Sequence, residues 1–243
     1  MKRNVSSIAS LISDPSRAAI LMHLLDGRCH PAGDLAAAAG ITPQTTSFHL
    51  TKMTEIGMVT VEKHGRHRYY RIAQASDAEA IEQLLSFAGP TPVVSLRQSD
   101  QMKKLRHARM CYDHLAGEVA VRITKSLLER EHLLKEGLQL HVTASGERFF
   151  EEIGLDLLQL RKKRRAFSRC CLDWTEREYH LAGALGQGLT ERMLEMDWFR
   201  REERSRAVRI TQIGKQGIAE RFGIQLDCET AGSAVIQPEE TRE

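Results

Sequence analysis

The chain has 243 residues, a formal net charge of +3, 42% hydrophobic and 28% charged residues, and only 5% aromatics. That length suits two domains of ordinary size, and the apolar-to-charged balance excludes wholesale disorder. No apolar run approaches the roughly eighteen residues needed to cross a bilayer. The N-terminus MKRNVSSIASLISDPSR also lacks the apolar stretch of a secretory signal, so a cytoplasmic protein with no membrane partner is expected. Five cysteines at uneven spacing do not form a disulfide framework in that compartment. Charge is unevenly placed: residues 1–72 carry nine Lys/Arg against five Asp/Glu, and the remainder carries 26 against 27. A polyanion would therefore dock on the first third of the chain.

Taken in order, Ser13-Asp14-Pro15 starts a helix, with proline tolerated in the first turn. Ala18, Leu21, Leu24 and Leu25 continue it at helical spacing until Gly27. A short helix is predicted over Ala32–Ala39, stopped by Gly40, and another from Pro43 to Ile56 with Thr42 as its cap. Met58–Lys63 and Arg66–Ile72 alternate as two strands about a turn at His64-Gly65. A helix over Asp77–Ala88 with Ala80, Ile81, Leu84 and Leu85 as its apolar stripe closes the unit, and Gly89-Pro90-Thr91-Pro92 opens a linker.

Beyond the linker lies an internal duplication. HLAGEVAVRITKSLLER (114–130) matches HLAGALGQGLTERMLEM (180–196), and VTASGERFFEEIGL (142–155) parallels ITQIGKQGIAERFGI (210–224). Cys111-Tyr112-Asp113 and Cys171-Leu172-Asp173 precede the copies. Each copy is predicted as helix, short polar connection, strand, Thr-x-x-Gly helix start and helix. Two copies are too few for a solenoid, so they read as pseudo-symmetric halves of one domain. The predicted organisation is a first domain at 1–88, a linker at 89–97, a second domain at 98–228 containing repeats 111–155 and 171–224, and a disordered tail at 229–243.

Two short helices joined through Gly40-Ile41-Thr42 and followed by a hairpin form a winged helix-turn-helix pattern. This region resembles the ArsR/SmtB family of bacterial regulators through Asp14-Pro15-Ser16-Arg17, Leu24-Leu25-Asp26-Gly27, Asp34-Leu35-Ala36, Thr42–Leu50 (TPQTTSFHL) and Arg66–Arg71 (RHRYYR). The later segments CYDHLAG and CLDWTEREYHLAGALG resemble a companion domain found in a subset of such regulators. The expected fold is mainly α with small β-wings: a winged helix-turn-helix followed by a second α+β domain of two pseudo-symmetric winged-helix-like halves. In the family, helices flanking the DNA-binding core pair the subunits; here these would be Ile8–Ser13 and Asp77–Ala88.

At 100° per residue, Thr46, Leu50 and Met53 face the core of the Pro43–Ile56 helix. Gln44, Ser47, Phe48 and Thr51 lie opposite, with Thr45 and Lys52 at an edge. Gln pairs bidentately with adenine, Ser and Thr reach base edges or phosphates, and Phe48 suits a thymine methyl or, alternatively, a neighbouring helix. His49 reads as a semi-buried core-edge residue or, alternatively, a base reader. Lys63, His64, Gly65, Arg66, His67 and Arg68 form a cationic hairpin tip suited to phosphates or the minor groove. The DNA-contacting set is thus Thr42, Gln44, Thr45, Ser47, Phe48, Thr51, Lys52, Lys63, Arg66, His67 and Arg68.

The Ala32–Ala39 and Asp77–Ala88 helices lack the thiols and imidazoles that metal-sensing members of the family carry there. Cys29 and His30 stand just before the first of them. In the second domain, His107, Cys111 and His114 are predicted on one helical face, and Cys170, Cys171, Asp173 and His180 form a second cluster. Sulfur with imidazole suits Zn or Cu(I), and paired thiols suit redox or electrophile sensing. The alternative is structural: buried free thiols, and a helix start at Asp173-Trp174-Thr175-Glu176. No cofactor is certain on this reading. Arg161-Lys162-Lys163-Arg164-Arg165 reads as a solvated inter-repeat segment, or else a second DNA or anion contact. Leu115, Val119, Leu181, Leu185 and the two tryptophans either line an apolar ligand site or form ordinary core.

The function expected is a homodimeric DNA-binding transcriptional regulator, a repressor released from a pseudo-palindromic operator on double-stranded DNA by an effector (small molecule, metal or thiol modification) at the C-terminal domain. Alternatives are a DNA-binding protein whose second domain serves only assembly, and an enzyme with a DNA-binding head. The last lacks any P-loop, dinucleotide-binding glycine pattern or nucleophile elbow.

Overall fold

Asn4 begins the first helix: its side chain accepts from the Ser7 N–H, and its own N–H donates to the Ser7 hydroxyl. In the computed structural model, which describes residues 3–87, 96–203 and 205–226, this helix is α1, Val5–Ile12. Asp14 caps α2 (Pro15–Leu24). β1 (His30–Pro31), α3 (Ala32–Ala39) and α4 (Pro43–Glu55) follow. Gly40 in the left-handed conformation ends α3, and the Thr42 hydroxyl accepts from the Thr45 N–H to cap α4. β2 (Val59–His64) and β3 (His67–Ile72) pair antiparallel, and β1 adds to the other edge of β3. The turn falls at Gly65-Arg66, one residue later than expected, because His64 and His67 close the ladder. α5 spans Ala75–Phe87. Its stripe is divided: Ala78 and Ile81 are buried among Leu21, Leu50 and Met53, whereas Ala80 and Leu84 face outward.

The C-terminal elements are α6 (Leu96–His107), β4 (Arg109–Cys111), β5 (His114–Ala116), α7 (Glu118–Glu129), β6 (Leu133–Glu136), β7 (Gln139–Val142), α8 (Ala144–Ile153), α9 (Leu157–Arg161), β8 (Arg169–Leu172), β9 (Tyr179–Ala182), α10 (Gly183–Glu195), β10 (Phe199–Arg201), β11 (Val208–Ile210) and α11 (Gln212–Phe222). Each repeat is therefore hairpin, helix, hairpin, helix. This corrects two expectations. Residues 114–116 and 180–182 are strands rather than the beginnings of helices, and the polar connections are two-stranded wings. Leu96 already belongs to α6, so helix intrudes on the expected linker; residues 88–95 and the expected tail at 229–243 lie outside the described residues.

The repeats share a register. Cys111 pairs with His114 and Arg109 with Ala116, as Cys171 pairs with His180 and Arg169 with Ala182. The second hairpin has a longer turn, so Cys111 and Cys171 are 60 positions apart while His114 and His180 are 66 apart. The first hairpin of each copy extends the wing of the other. β8 pairs with β7 through Gln139 and Arg169, and Arg109 bridges to Ala207 beside β11. Thr124 on α7 accepts from the Leu181 N–H at 2.9 Å, and Thr190 on α10 accepts from the Leu115 N–H at the same distance. The Thr-x-x-Gly motif also has a physical cause. Thr143 and Thr211 cap α8 and α11 through the N–H groups of Gly146 and Gly214, and a Cβ on either glycine would strike the carbonyl of His132 or Trp198. Leu115, Val119, Leu181 and Leu185 are core, as is Trp198. The cavity between the halves is about 20 Å³, room for about one water molecule, so the apolar-ligand reading does not fit the packing.

Candidate nucleic-acid interface and a buried cysteine-histidine cluster

α4 separates its faces as its periodicity requires. Thr46, His49, Leu50 and Met53 are buried, while Gln44, Thr45, Ser47, Phe48, Thr51 and Lys52 are exposed, as is the cap Thr42. Phe48 is 56% exposed and carries the Lys52 ammonium over its ring at 4.3 Å. His49 is held at the core edge, its Nδ1 3.3 Å from the Arg17 guanidinium. Lys63, Arg66, His67 and Arg68 are exposed at the tip of the β2–β3 wing, and Arg66 occupies the turn itself. Helix face and wing thus offer hydrogen-bonding groups flanked by cations, the combination that reads base edges and neutralises phosphates.

The cysteine and histidine candidates sort into two groups. Cys111, His114, Cys171 and His180 converge: one ligand atom from each lies within 4.8 Å of the others, and all four residues are buried. Cross-strand pairing places each cysteine opposite its histidine, and the repeat symmetry brings the two pairs face to face, with ring centroids of His114 and His180 5.1 Å apart. Among the described residues, His114 Nε2 and both ring nitrogens of His180 have no hydrogen-bond partner. A hydrogen bond with Cys171, together with burial, pushes the Cys111 thiol well above its ordinary pKa.

The other candidates stand apart. His107 ends α6 and is half-buried, 3.4 Å from Glu118. The expected helical face of His107, Cys111 and His114 does not exist, because a strand and a turn separate the three. Cys170 points into the C-terminal core on the opposite face of β8. Asp173 starts no helix: it accepts from the N–H groups of Thr175 and Glu176 within the hairpin turn. Its other oxygen binds the Arg109 guanidinium at 2.9 Å and lies 3.6 Å from His180 Nδ1. Burial opposes ionisation of Asp173, but Arg109, His180, Thr175 and the Gly117 N–H hold its carboxyl far below the usual range. In the first repeat, Asp113 accepts from His114 Nδ1 at 3.1 Å and pairs with Arg165. The basic run is thus not simply solvated: Arg165 is committed to Asp113, and Arg161 binds Glu147 and lies over Phe167. Cys29 is exposed, and His30 is buried against Asp26 at 2.9 Å.

Contacts with the helix-turn-helix unit were not foreseen. Tyr112, between Cys111 and Asp113, donates its N–H to the Leu25 carbonyl at 2.7 Å and packs against the N-terminal core. A Cβ at Gly27 would strike the Tyr112 carbonyl, so this position admits only glycine. Arg28 donates to the Glu202 carbonyl at 2.7 Å, Arg201 to the Asp26 carbonyl at 3.3 Å, and Arg206 pairs with Glu82 of α5. The recurring Cys-x-Asp tripeptide was the available signal; its middle residue gave no hint of a contact some ninety positions away.

An exposed polar helix beside a cationic two-stranded wing, on a three-helix core, defines a winged helix-turn-helix DNA-binding protein. The family described as "Helix-turn-helix domain" matches residues 12–62. The chain is 52% identical over 226 residues to YdfF of Bacillus subtilis (strain 168), an uncharacterized HTH-type transcriptional regulator, covering 93% of this chain and all of the relative. It is 36% identical over 81 residues to the HTH-type transcriptional regulator CmtR of Mycobacterium tuberculosis (strain ATCC 25618 / H37Rv), covering 33% of this chain and 68% of the relative. The homodimeric winged helix-turn-helix domain of Mb0332 from Mycobacterium bovis, a possible ArsR-family regulator, superimposes with a TM-score of 0.32 at 22% identity over 42% of this chain and 84% of that one. The chain belongs to the HTH-type transcriptional regulators, with the helix-turn-helix domain in its first third.

Proposed function

We propose that the protein is a cytoplasmic homodimeric repressor that binds a pseudo-palindromic operator through α4 and the β2–β3 wing, and leaves it when an effector acts on the C-terminal unit. Residues 1–88 form the DNA-binding domain and 98–228 the sensing domain in this reading. The observation that carries it is the exposure of Thr42, Gln44, Thr45, Ser47, Phe48, Thr51, Lys52, Lys63, Arg66, His67 and Arg68 on α4 and the wing packed beside it. Gln44 and Ser47 address base edges, Phe48 a thymine methyl, and Lys52, Lys63, Arg66 and Arg68 the phosphates.

Dimerisation is supported by an apolar groove of about 450 Å³ along α1 and α5, lined by Val5, Ile8, Ala9, Ile12, Ser13 and Leu84. Val5 is 85% exposed and Leu84 47% exposed, and burying them against a second copy contributes about 1.5–3 kcal/mol at Val5 and about half that at Leu84. A two-fold dimer presents its recognition helices about 34–36 Å apart, one turn of DNA. Among the described residues no helix is long and apolar enough to cross a membrane.

The test is fluorescence anisotropy on the promoter DNA of the protein's own gene, over a range of salt concentrations. Gln44→Ala costs about 1–3 kcal/mol and relaxes base preference, while Arg66→Ala weakens all sequences alike and lowers the salt slope by about one. Unchanged affinity and slope in both variants overturns this assignment of the interface.

A further inference from the structure

Four groups able to ligate a metal meet where the two repeats face one another, with three imidazole nitrogens buried and without a partner among the described residues. Leaving such groups unsatisfied costs about 1–3 kcal/mol each, a cost that hydrophobic residues of similar size would avoid. We propose that Cys111, His114, Cys171 and His180 hold a single zinc-class ion, and that its binding is the effector event which the DNA-binding unit registers through Tyr112. This rests on the regulatory reading above and supplies its ligand.

The fit is geometric first. Tetrahedral zinc bonds of about 2.0–2.3 Å set ligand atoms roughly 3.3–3.8 Å apart. The four atoms here lie within 4.8 Å, so closing on an ion asks less than about 1 Å of each. The surroundings match a metal histidine pair. His114 already binds Asp113 through Nδ1, leaving Nε2 free, and Asp173 stands 3.6 Å from Nδ1 of His180. The bonded carboxylate fixes the His114 ring and raises its basicity, and Asp173 stands just beyond hydrogen-bond reach of His180.

Charge selects the ion. Asp113 is neutralised by Arg165 and Asp173 by Arg109, so the aspartates contribute no net charge. Two thiolates then balance a divalent cation, whereas Cu(I) would leave a buried negative charge. The cysteines ligate as thiolates and the histidines as neutral imidazoles, so whatever protons the ligating Sγ and imidazole nitrogens carry pass to solvent on binding. Oxidation of Cys111 with Cys171 needs an oxidant and leaves both histidines unused.

The route to DNA is short. Cys111 and His114 flank the Tyr112-Asp113 turn, and Tyr112 holds Leu25 at the end of α2, which packs on α3 beside the recognition helix. Drawing β4–β5 toward β8–β9 pulls on that hydrogen bond, so the apo and zinc forms present α4 differently.

The experiment uses the full chain, stripped with chelator under reducing conditions. Zn²⁺ is titrated against a chromophoric chelator, and Co²⁺ is used as a spectroscopic probe with X-ray absorption on the zinc form. One ion per chain with two sulfur and two nitrogen donors is expected. Cys111→Ser and His180→Ala should lower affinity at least tenfold, while Cys170→Ser and His107→Ala bind as the parent does. Should the ligand variants fail to fold, the parent's absorption spectrum and donor count still decide. No stoichiometric metal, oxygen-dominated donors, tighter Cu(I) than Zn²⁺ binding, or loss on Cys170→Ser overturns the site. Equal DNA affinity with and without zinc overturns the effector role. Metal binding is read without DNA, and Gln44→Ala is read without metal, so the two readings fail separately.

Discussion

Asp173 and Arg109 are both fully buried and form the ion pair on which the second hairpin closes. Replacing Asp173 with alanine removes the 2.9 Å contact to Arg109, the 2.6 Å acceptor for the Gly117 N–H, and the acceptors for Thr175 and Glu176. Among the described residues Arg109 Nε has no partner, and the Thr175 hydroxyl and Leu105 carbonyl then remain as the acceptors of the guanidinium. Stranding a buried charge costs about 3–5 kcal/mol. At about 2–4 °C per kcal/mol for a chain of this size, the melting temperature should fall by roughly 6–20 °C. Asp173→Asn keeps the shape and part of the acceptor set but loses the charge, so it should fall between parent and alanine. The double change Arg109→Met with Asp173→Leu removes both charges and should recover much of the loss. Differential scanning calorimetry on the four metal-free proteins measures this. An alanine variant melting within about 2 °C of the parent, or a double variant worse than the single, would refute the reasoning.

Other outcomes follow from the same structure. Leu84→Arg places a charge in the groove beside Val5 and Ile8, and sedimentation velocity should show a monomer with operator affinity weakened at least tenfold. Asp26 is buried, and although burial opposes its ionisation, bonds from His30 and Arg28 lower its pKa to about 2. A depressed carboxylate stabilises the fold above its unfolded value, so about 2–3 kcal/mol should be lost as pH falls from about 4 to about 2. Urea unfolding of Asp26→Asn across that window should show a flatter acid limb than the parent. Gly27→Ala cannot keep both its positive φ and the Tyr112 contact. Limited proteolysis should then cut between the units faster, with the DNA affinity of the isolated first unit unchanged.

The recognition helix was legible because its information is local. A proline start, a threonine cap and a 3.6-residue alternation of Thr46, Leu50 and Met53 against Gln44, Ser47 and Thr51 fix both the element and its outward face. The wing was equally readable from alternation about Gly65, with the turn displaced by one residue. The duplication was visible as matching strings, and with it the pseudo-symmetry. What the strings did not contain was pairing. His107 and Cys170 looked as suitable as His114 and Cys171, since a helix of 107–114 was as consistent with the sequence as a strand, turn and strand. Strand pairing chose between them: it set Cys111 against His114 and Cys171 against His180, and turned Cys170 to the opposite face of β8. The exchange of hairpins between repeats then brought those pairs together and carried Tyr112 onto Leu25. Helical faces and caps are set by neighbours within four residues, and the sequence alone determines them. A site assembled from strands sixty positions apart depends on register and on which wing each hairpin joins, and only the folded chain decides that.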